Sequence, residues 1–263
     1  MKILLKIKFV GTSFCGFQSQ KNGTAIQNVL TEASEKVFGM ECLVTGCSRT
    51  DSGVHALGFC CTVEPKYKKE TVWCTVPTEK IHRAYAAYLP DEISVVGASM
   101  MPETFHPRYS SKGKNYIYRI WDNPAADPFE NGRSMRCIFK ITDEKLEIMK
   151  AAAKGFVGTH DFASFMASGS KITDTVRTVT KAELYREENG AVVFSVSADG
   201  FLYNMVRIMA GTLIDCAAGR INPSDIPAII EKKDRSAAGS TAPAEGLYLN
   251  EVFYSEKIIW LCE

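Results

Sequence analysis

The sequence contains no G-x-x-x-x-G-K-[ST], no G-x-G-x-x-G, no H-E-x-x-H and no G-x-S-x-G. Those gaps remove the minimal parts of a phosphate loop, a dinucleotide fold, a zinc protease and a hydrolase nucleophile elbow. No apolar run is long enough to span a bilayer. The N-terminal KILLKIKFV is broken by lysines, which spoils it as a secretory leader. The nine cysteines include no C-x-x-C pair, with Cys60 beside Cys61 and Cys262 near the end, so neither a disulfide framework nor a zinc site is patterned. The four histidines are dispersed, which argues against a His/Cys metal cluster. Free thiols without an export signal are expected in a reducing, cytoplasmic setting. An excess of charge of one sign is lacking too: the formal net charge is +1. A polyanion-binding protein with that balance must segregate its charges onto separate faces.

The 263 residues, 46% hydrophobic and 23% charged, suit a soluble globular chain of about two domains. Ile3, Leu5, Ile7 and Phe9 alternate with Lys2, Lys6 and Lys8, the pattern of a first strand. GTAIQNVLTEASEKVFG reads as a helix with a capping box at Thr24 and Gln27 and a stop at Gly39. Short apolar segments follow at Cys42–Val44 and Gly58–Val63. TEKIHRAYAAYL predicts a second helix with Ile81, Ala84, Tyr85 and Tyr88 on one face, ended by Pro90, and ISVVGASM a strand.

HPRYSSKGK marks the expected boundary, giving domains 1–108 and 109–263. Beyond it, YIYRIW predicts a strand and TDEKLEIMKAAAKGF a helix with acids in its first turn. VRTVTKAELYREENGAVVFSVSAD predicts a hairpin turned by Asn-Gly. FLYNMVRIMAGTLIDCAAG predicts a buried helix stopped at Gly219, PSDIPAIIEK a short helix and GLYLNEVFY a last strand. Helices among strands without regular βαβ alternation imply two α+β units with mostly antiparallel sheets.

Three features carry chemistry. SRTDSGVHA, residues 48–56, holds Asp51 in Thr-Asp-Ser-Gly, which is ordinary turn chemistry and equally a way to present a carboxylate. It also resembles an aspartic-protease loop, but no second Asp-Ser/Thr-Gly exists to share a proton. Residues 106–120, HPRYSSKGKNYIYRI, carry Arg108, Lys112, Lys114 and Arg119 with three tyrosines and no acid; a solvated basic strand face and an RNA surface both fit. Arg207 lies within the apolar NMVRIMAGTL. It either snorkels to solvent or is half-buried and needs an anion. A carboxylate beside it would stay ionised, its pKa lowered by roughly 1–3 units, and Asp51 is a candidate.

Six segments in order resemble the tRNA pseudouridine synthase A family over nearly the whole chain. They are GTSFCGFQSQ, SRTDSGVHA, FHPRYSSKGKNYIYRI, HDFASF, DGFLYNMVRIMAGTL and RSAAGSTAPAEGLYL. The resemblance implies two related α+β domains with mostly antiparallel sheets joined across a central catalytic cleft and helices on the outer faces. It implies an isomerase that turns uridine into pseudouridine at positions 38–40 of the tRNA anticodon stem-loop, with no metal, nucleotide or redox cofactor. The expected partners are tRNA and a second copy of the chain in a homodimer, with no membrane association.

The resemblance also assigns roles. Asp51 matches the catalytic aspartate; whether it attacks the sugar, attacks the base or assists elimination stays open. Arg207 matches the arginine paired with that carboxylate, Tyr116 the tyrosine stacked on the target base, and Arg49 the arginine filling the space of the flipped uridine. Leu247 matches an apolar residue closing the pocket, and Arg108, Lys112 and Lys114 are expected to meet the RNA. His55 and Asp161 read as supports. Ser48 departs from the family's usual glycine and Phe17 from its commoner tryptophan. The alternative is a catalytically altered paralogue that only binds RNA or acts on a different RNA.

Overall fold

The computed structural model describes residues 1–21, 23–67, 73–170, 172–255 and 257–261, so Cys262 lies outside the described residues. The chain divides into one unit formed by Met1–Lys112 with Leu249–Glu263, and a second formed by Gly113–Tyr248. The sequence placed the break at 108/109 and gave everything after it to the second domain. By contacts, the break falls four residues later and the C-terminal stretch returns to the first unit. A strand's partners are set by long-range pairing, which local pattern does not encode.

In the first unit, β1 (Lys2–Phe9), β3 (His55–Pro65) and β4 (Ile93–Met101) form an antiparallel sheet in the order β4-β1-β3. β2 (Cys42–Gly46) pairs with the C-terminal half of β3, and β10 (Leu247–Tyr254) lies next to β3 in the order. β1 departs from strict alternation because Leu4 is fully buried on the lysine face. Lys2 is paired with Glu64 at 3.1 Å and Lys6 lies over the Trp260 ring, so these two stems are covered, while Lys8 is exposed.

α1 (Ile26–Phe38) buries Ile26, Leu30, Ala33 and Phe38 and ends at Gly39 in the left-handed region, whose N–H bonds the Glu35 carbonyl. The expected capping box does not form. Ala25 is the N-cap, and the Gln27 amide instead accepts from Ser19 N–H and donates to the Val44 carbonyl. Gln27 thus ties the loop before the helix to β2. α2 (Ile81–Ala86) is shorter than predicted. Ile81 and Tyr85 are buried, with the Tyr85 phenol bonded to Ser34 of α1, while Tyr88 beyond the helix end is exposed.

In the second unit, β5 (Ser111–Trp121), which begins in the first unit, is followed by β7 (Gly158–Asp161), β8 (Val176–Arg186) and β9 (Val192–Ala198). They lie antiparallel in the order β5-β9-β8-β7, with β6 (Met135–Arg136) added parallel to β5. The β8–β9 turn uses Gly190 at φ 95, as the Asn-Gly signal predicts. α3 (Asp143–Lys154), capped by Thr142 accepting from Lys145 N–H, packs on β8 and on α4 (Met205–Ala217). α5 (Ile226–Lys232) is the short helix after Pro223. No helix among the described residues is long and apolar enough to cross a membrane.

One ion pair clamps the far end of this sheet. Asp122, buried after β5, accepts from both Arg186 Nη atoms at 3.0 and 3.2 Å and from Ile141 N–H at 2.8 Å. Burial pushes its carboxyl up, but the Arg186 hydrogen bonds, the Ile141 N–H and the Arg186 and Lys140 charges outweigh it and hold the pKa below the usual value. A depressed pKa stabilises the fold above the unfolded value and is lost as pH falls through the folded one. Asp122→Asn should therefore cost about 2–3 kcal/mol in urea unfolding at pH 7. That is below the roughly 3–5 kcal/mol of a fully buried pair, because the Arg186 side chain is 25% exposed. The variant should also lose less stability than the parent between about pH 5 and pH 3.

Gly211, in the middle of α4, gives a second expectation. A Cβ there would lie 1.8 Å from the Ser240 carbonyl oxygen. Gly→Ala in a helix interior ordinarily gains about 0.5–1 kcal/mol. Here the sign should reverse, to a loss of about 1–3 kcal/mol in the same unfolding measurement.

Candidate active site

Asp51 stands in the loop between β2 and β3, and a second loop, residues 10–25, builds its support. Phe17 N–H donates to the Thr50 carbonyl at 3.2 Å, and the Ser52 hydroxyl donates to the Phe14 carbonyl at 3.1 Å. Val54 N–H closes the turn back onto the Asp51 carbonyl at 3.2 Å, with Gly53 at φ 79. Gly16, at φ 93, brings its Cα so close that a Cβ would sit 2.4 Å from the Thr50 oxygen. At Gly11 a Cβ would lie 2.0 Å from the Val54 oxygen.

The buried His55 accepts the Gly11 N–H on Nδ1 at 3.0 Å, so it works as a strut between the loops. Phe17 stacks on Phe59 at 4.3 Å and lies in a slot above Gly46, where a Cβ would strike its ring. Ser48 does not take a positive φ; the left-handed position of its loop is Gly53, so a serine fits the backbone at 48.

Asp51 is partly exposed and Arg49 exposed, while Thr50 between them is buried. Arg49 and Arg108 line one pocket of about 230 Å³, together with Ser48 and His106. Lys112 is exposed at the start of β5. Lys114 is not part of a solvated basic face, because it is 9% exposed. Arg119 leaves the basic stretch as well: it is bonded to Glu130 and Glu187, so its charge is neutralised inside the second unit. Those two acids lie 11 and 68 residues away, beyond the reach of a local charge count.

The remaining candidates belong to the second unit. Tyr116 is buried on β5, edge-on to Phe201 at 5.0 Å. Arg207 on α4 is half-buried: its Nε donates to the Ala242 carbonyl at 2.8 Å and an Nη to Asn204 Oδ1 at 2.8 Å. Ala242 N–H returns a bond to the Arg207 carbonyl at 3.1 Å. The guanidinium is thereby held by backbone rather than left to snorkel.

The same segment turns onto β5. Tyr118, two residues from Tyr116 and hence on the same strand face, donates its hydroxyl to the Pro243 carbonyl at 2.7 Å. Burial pushes the Tyr118 phenol up, with the Arg207 charge opposing it. A Cβ on Gly246 would meet the Tyr118 ring at 2.7 Å, and Leu247 follows directly, buried. The second unit thus gathers Tyr116, Arg207 and Leu247 around one strand face. Asp51, Arg49, Arg108 and Lys112 belong to the first.

Asp161 is tied into the fold by its neighbours. It accepts from Thr175, from Ala163 N–H and from Lys233, and those hydrogen bonds, Thr175 first and Lys233 second, hold its carboxyl below the usual range. Tyr109 and His106 also lie against the arginine pocket, and an aromatic beside Arg108 is their signal in the sequence.

The family described as tRNA pseudouridine synthase matches residues 6–110 and 152–255. The protein named tRNA pseudouridine synthase A from Ruminiclostridium cellulolyticum is 43% identical over 96% of this chain and 99% of its own. Its namesake from Clostridium acetobutylicum is 38% identical over 96% and 99%. The protein named tRNA pseudouridine synthase A 2 from Clostridium tetani is 39% identical over 96% and 98%. A solved Cbf5-Nop10-Gar1 complex aligns with 95% of this chain and 50% of its own at 13% identity and a TM-score of 0.34, too loose a likeness to argue from. With its family matched across both units and its relatives aligned almost end to end, the chain belongs to the tRNA pseudouridine synthase family.

Proposed function

We propose that this enzyme isomerises uridine to pseudouridine in the anticodon stem-loop of tRNA, at RNA positions 38–40, with Asp51 as the reacting carboxylate. Its family makes it a tRNA pseudouridine synthase, an isomerase. The finer target, a homodimeric assembly and a cytoplasmic setting belong to the proposal. The reaction exchanges one bond for another: N1–C1′ breaks, the base turns, C5–C1′ forms, the hydrogen leaves C5 and a proton is taken up at N1. Atoms and electrons balance within the nucleoside, so the protein's task is to hold the base and present a charged group.

The observation that carries this reading is the support beneath Asp51. A carboxylate on an ordinary surface turn needs no second loop. This one has two glycines in backbone contact, the Ser52 hydroxyl donating to the Phe14 carbonyl, the Phe17 N–H donating to the Thr50 carbonyl, and a buried histidine strut. Such scaffolding fits a group whose position matters for chemistry.

The other assignments rest on the second unit's own geometry. Tyr116, braced by Phe201, would stack on the target base, an interaction worth about 1–3 kcal/mol that survives rotation of the base in its plane. Arg207, fixed by Ala242 and Asn204, takes the role of the cation that keeps a carboxylate ionised, and Leu247 that of an apolar wall. Arg49 would occupy the space vacated by the flipped uridine. Lys112, and Arg108 within its pocket, would meet RNA phosphates; Lys114, buried in β5, would act only where RNA reaches the strand.

Incubation with unmodified tRNA transcripts, followed by carbodiimide adduct formation and primer extension, tests the reaction and its position. The parent should stop extension at positions 38–40, and Asp51→Ala should leave no stop while retaining tRNA binding. Binding without modification by the parent would instead favour an RNA-binding paralogue. Gly16→Ala should lower the modification rate by about 10- to 100-fold, since a shift near 1 Å at a reacting group has that effect. Its circular dichroism should remain that of the parent.

A further inference from the structure

The arginine pocket of the first unit is not explained by the reacting uridine, because Asp51 does not line it. Its wall is a compact turn, residues 106–111. Ser110 N–H bonds the His106 carbonyl at 2.9 Å, His106 N–H bonds Ser110 Oγ at 3.1 Å, and the Ser111 hydroxyl bonds the Arg108 carbonyl at 2.8 Å. Tyr254 pins the turn by donating to the Pro107 carbonyl at 2.9 Å, and packs on Phe105. His106 Nδ1 accepts the N–H groups of both Arg108 and Tyr109. With Nδ1 an acceptor, the hydrogen of the neutral ring is on Nε2.

Upon this rigid turn the Tyr109 ring lies against His106 at 4.3 Å and 35°, yet stays 78% exposed. One face is backed and the other is open. A lone exposed tyrosine would mean little. Here it borders a concavity holding Arg49 and Arg108, and neither guanidinium has a carboxylate partner among the described residues. That contrasts with Arg119, Arg186 and Arg220, each paired with an acid. The pocket, about 230 Å³, is smaller than the roughly 300–1,000 Å³ of most small-molecule sites. It suits part of a polymer better than a free metabolite.

We infer that this pocket is a second nucleotide subsite, in which Arg108 holds one phosphodiester and Tyr109, backed by His106, stacks one unpaired base next to the space that Arg49 fills. The inference rests on the proposed RNA substrate and extends it. Residue 49 is two positions from Asp51, at most about 7 Å along the chain, so the base held here lies beside the target rather than in a distant arm. Aromatic stacking accepts any base face, so the subsite demands an unpaired nucleotide without reading its sequence.

Equilibrium binding of unmodified tRNA to the full chain, measured across a salt series, tests the subsite. Tyr109→Ala should weaken binding about 5- to 150-fold, and Tyr109→Phe, which keeps the ring, should recover most of that loss. Arg108→Gln should reduce the slope of log affinity against log salt by about 0.7–0.9, the signature of one lost phosphate contact. Tyr88→Ala, which removes an exposed tyrosine that does not line the pocket, should stay within about twofold. In turnover the Tyr109→Ala loss should fall on KM and not on kcat. Unchanged affinity in Tyr109→Ala overturns the subsite even if Arg108→Gln lowers the slope, because phosphate contact alone needs no stacking platform. Pseudouridine formation by the parent is read in the same tubes; its absence would defeat the proposed function separately, leaving the binding result to stand or fall by itself.

Discussion

The contact between Gly16 and the Thr50 carbonyl sets the position of Asp51. A residue with a side chain could not hold φ 93 there without strain, nor fit a Cβ 2.4 Å from that oxygen. Because the approach is backbone against backbone, it cannot be loosened by a rotamer change. Phe17 N–H, Ser52 Oγ and the His55 strut then act in one direction, joining residues 11–17 to residues 50–55. A carboxylate that must meet a nucleoside within tenths of an ångström gains from such a support more than from flexible side-chain contacts.

The second unit solves its positioning problem in the same way. Gly211 lets α4 approach the backbone at Ser240, and the Arg207–Ala242 bonds follow from that approach. Gly246 lets the segment settle on the Tyr118 ring, which delivers Leu247 to the strand face carrying Tyr116. In both units the glycines that matter are not turn fillers. They are places where one piece of main chain passes another closely enough to fix a neighbouring side chain. The charge balance fits the same economy: Arg119 and Arg186 are neutralised within the fold, while Arg49 and Arg108 line an open pocket.

Local pattern made much of this legible. The helices over Ile26–Phe38, Asp143–Lys154 and Met205–Ala217 follow from apolar spacing and their stops, and the β8–β9 hairpin from Asn-Gly. The failures share a cause, contact across long sequence separations. Gln27 looked like a capping residue and is a tie to Val44, because a tertiary acceptor outcompeted the helix end. Leu4 is buried on a face that lysines made look wet. Lys114 looked solvated and is not, and Arg119 found its acids far along the chain. Arg207 is conspicuous as a charge in an apolar helix, but that one of its partners is a carbonyl 35 residues on cannot be read locally. Tyr109 does not stand out in the sequence, since one aromatic beside a basic residue is common; its stacking on His106 exists only in three dimensions.

The central claim, that a backbone-locked Asp51 drives bond exchange on the base, predicts a specific hydrogen loss. Under single-turnover conditions with tRNA tritiated at uridine C5, the parent should release tritium to water as pseudouridine forms. Gly16→Ala should slow that release while binding tRNA as tightly as the parent, and Asp51→Ala should bind and release none. Full-rate release by Asp51→Ala, or a Gly16→Ala defect confined to binding, would contradict it.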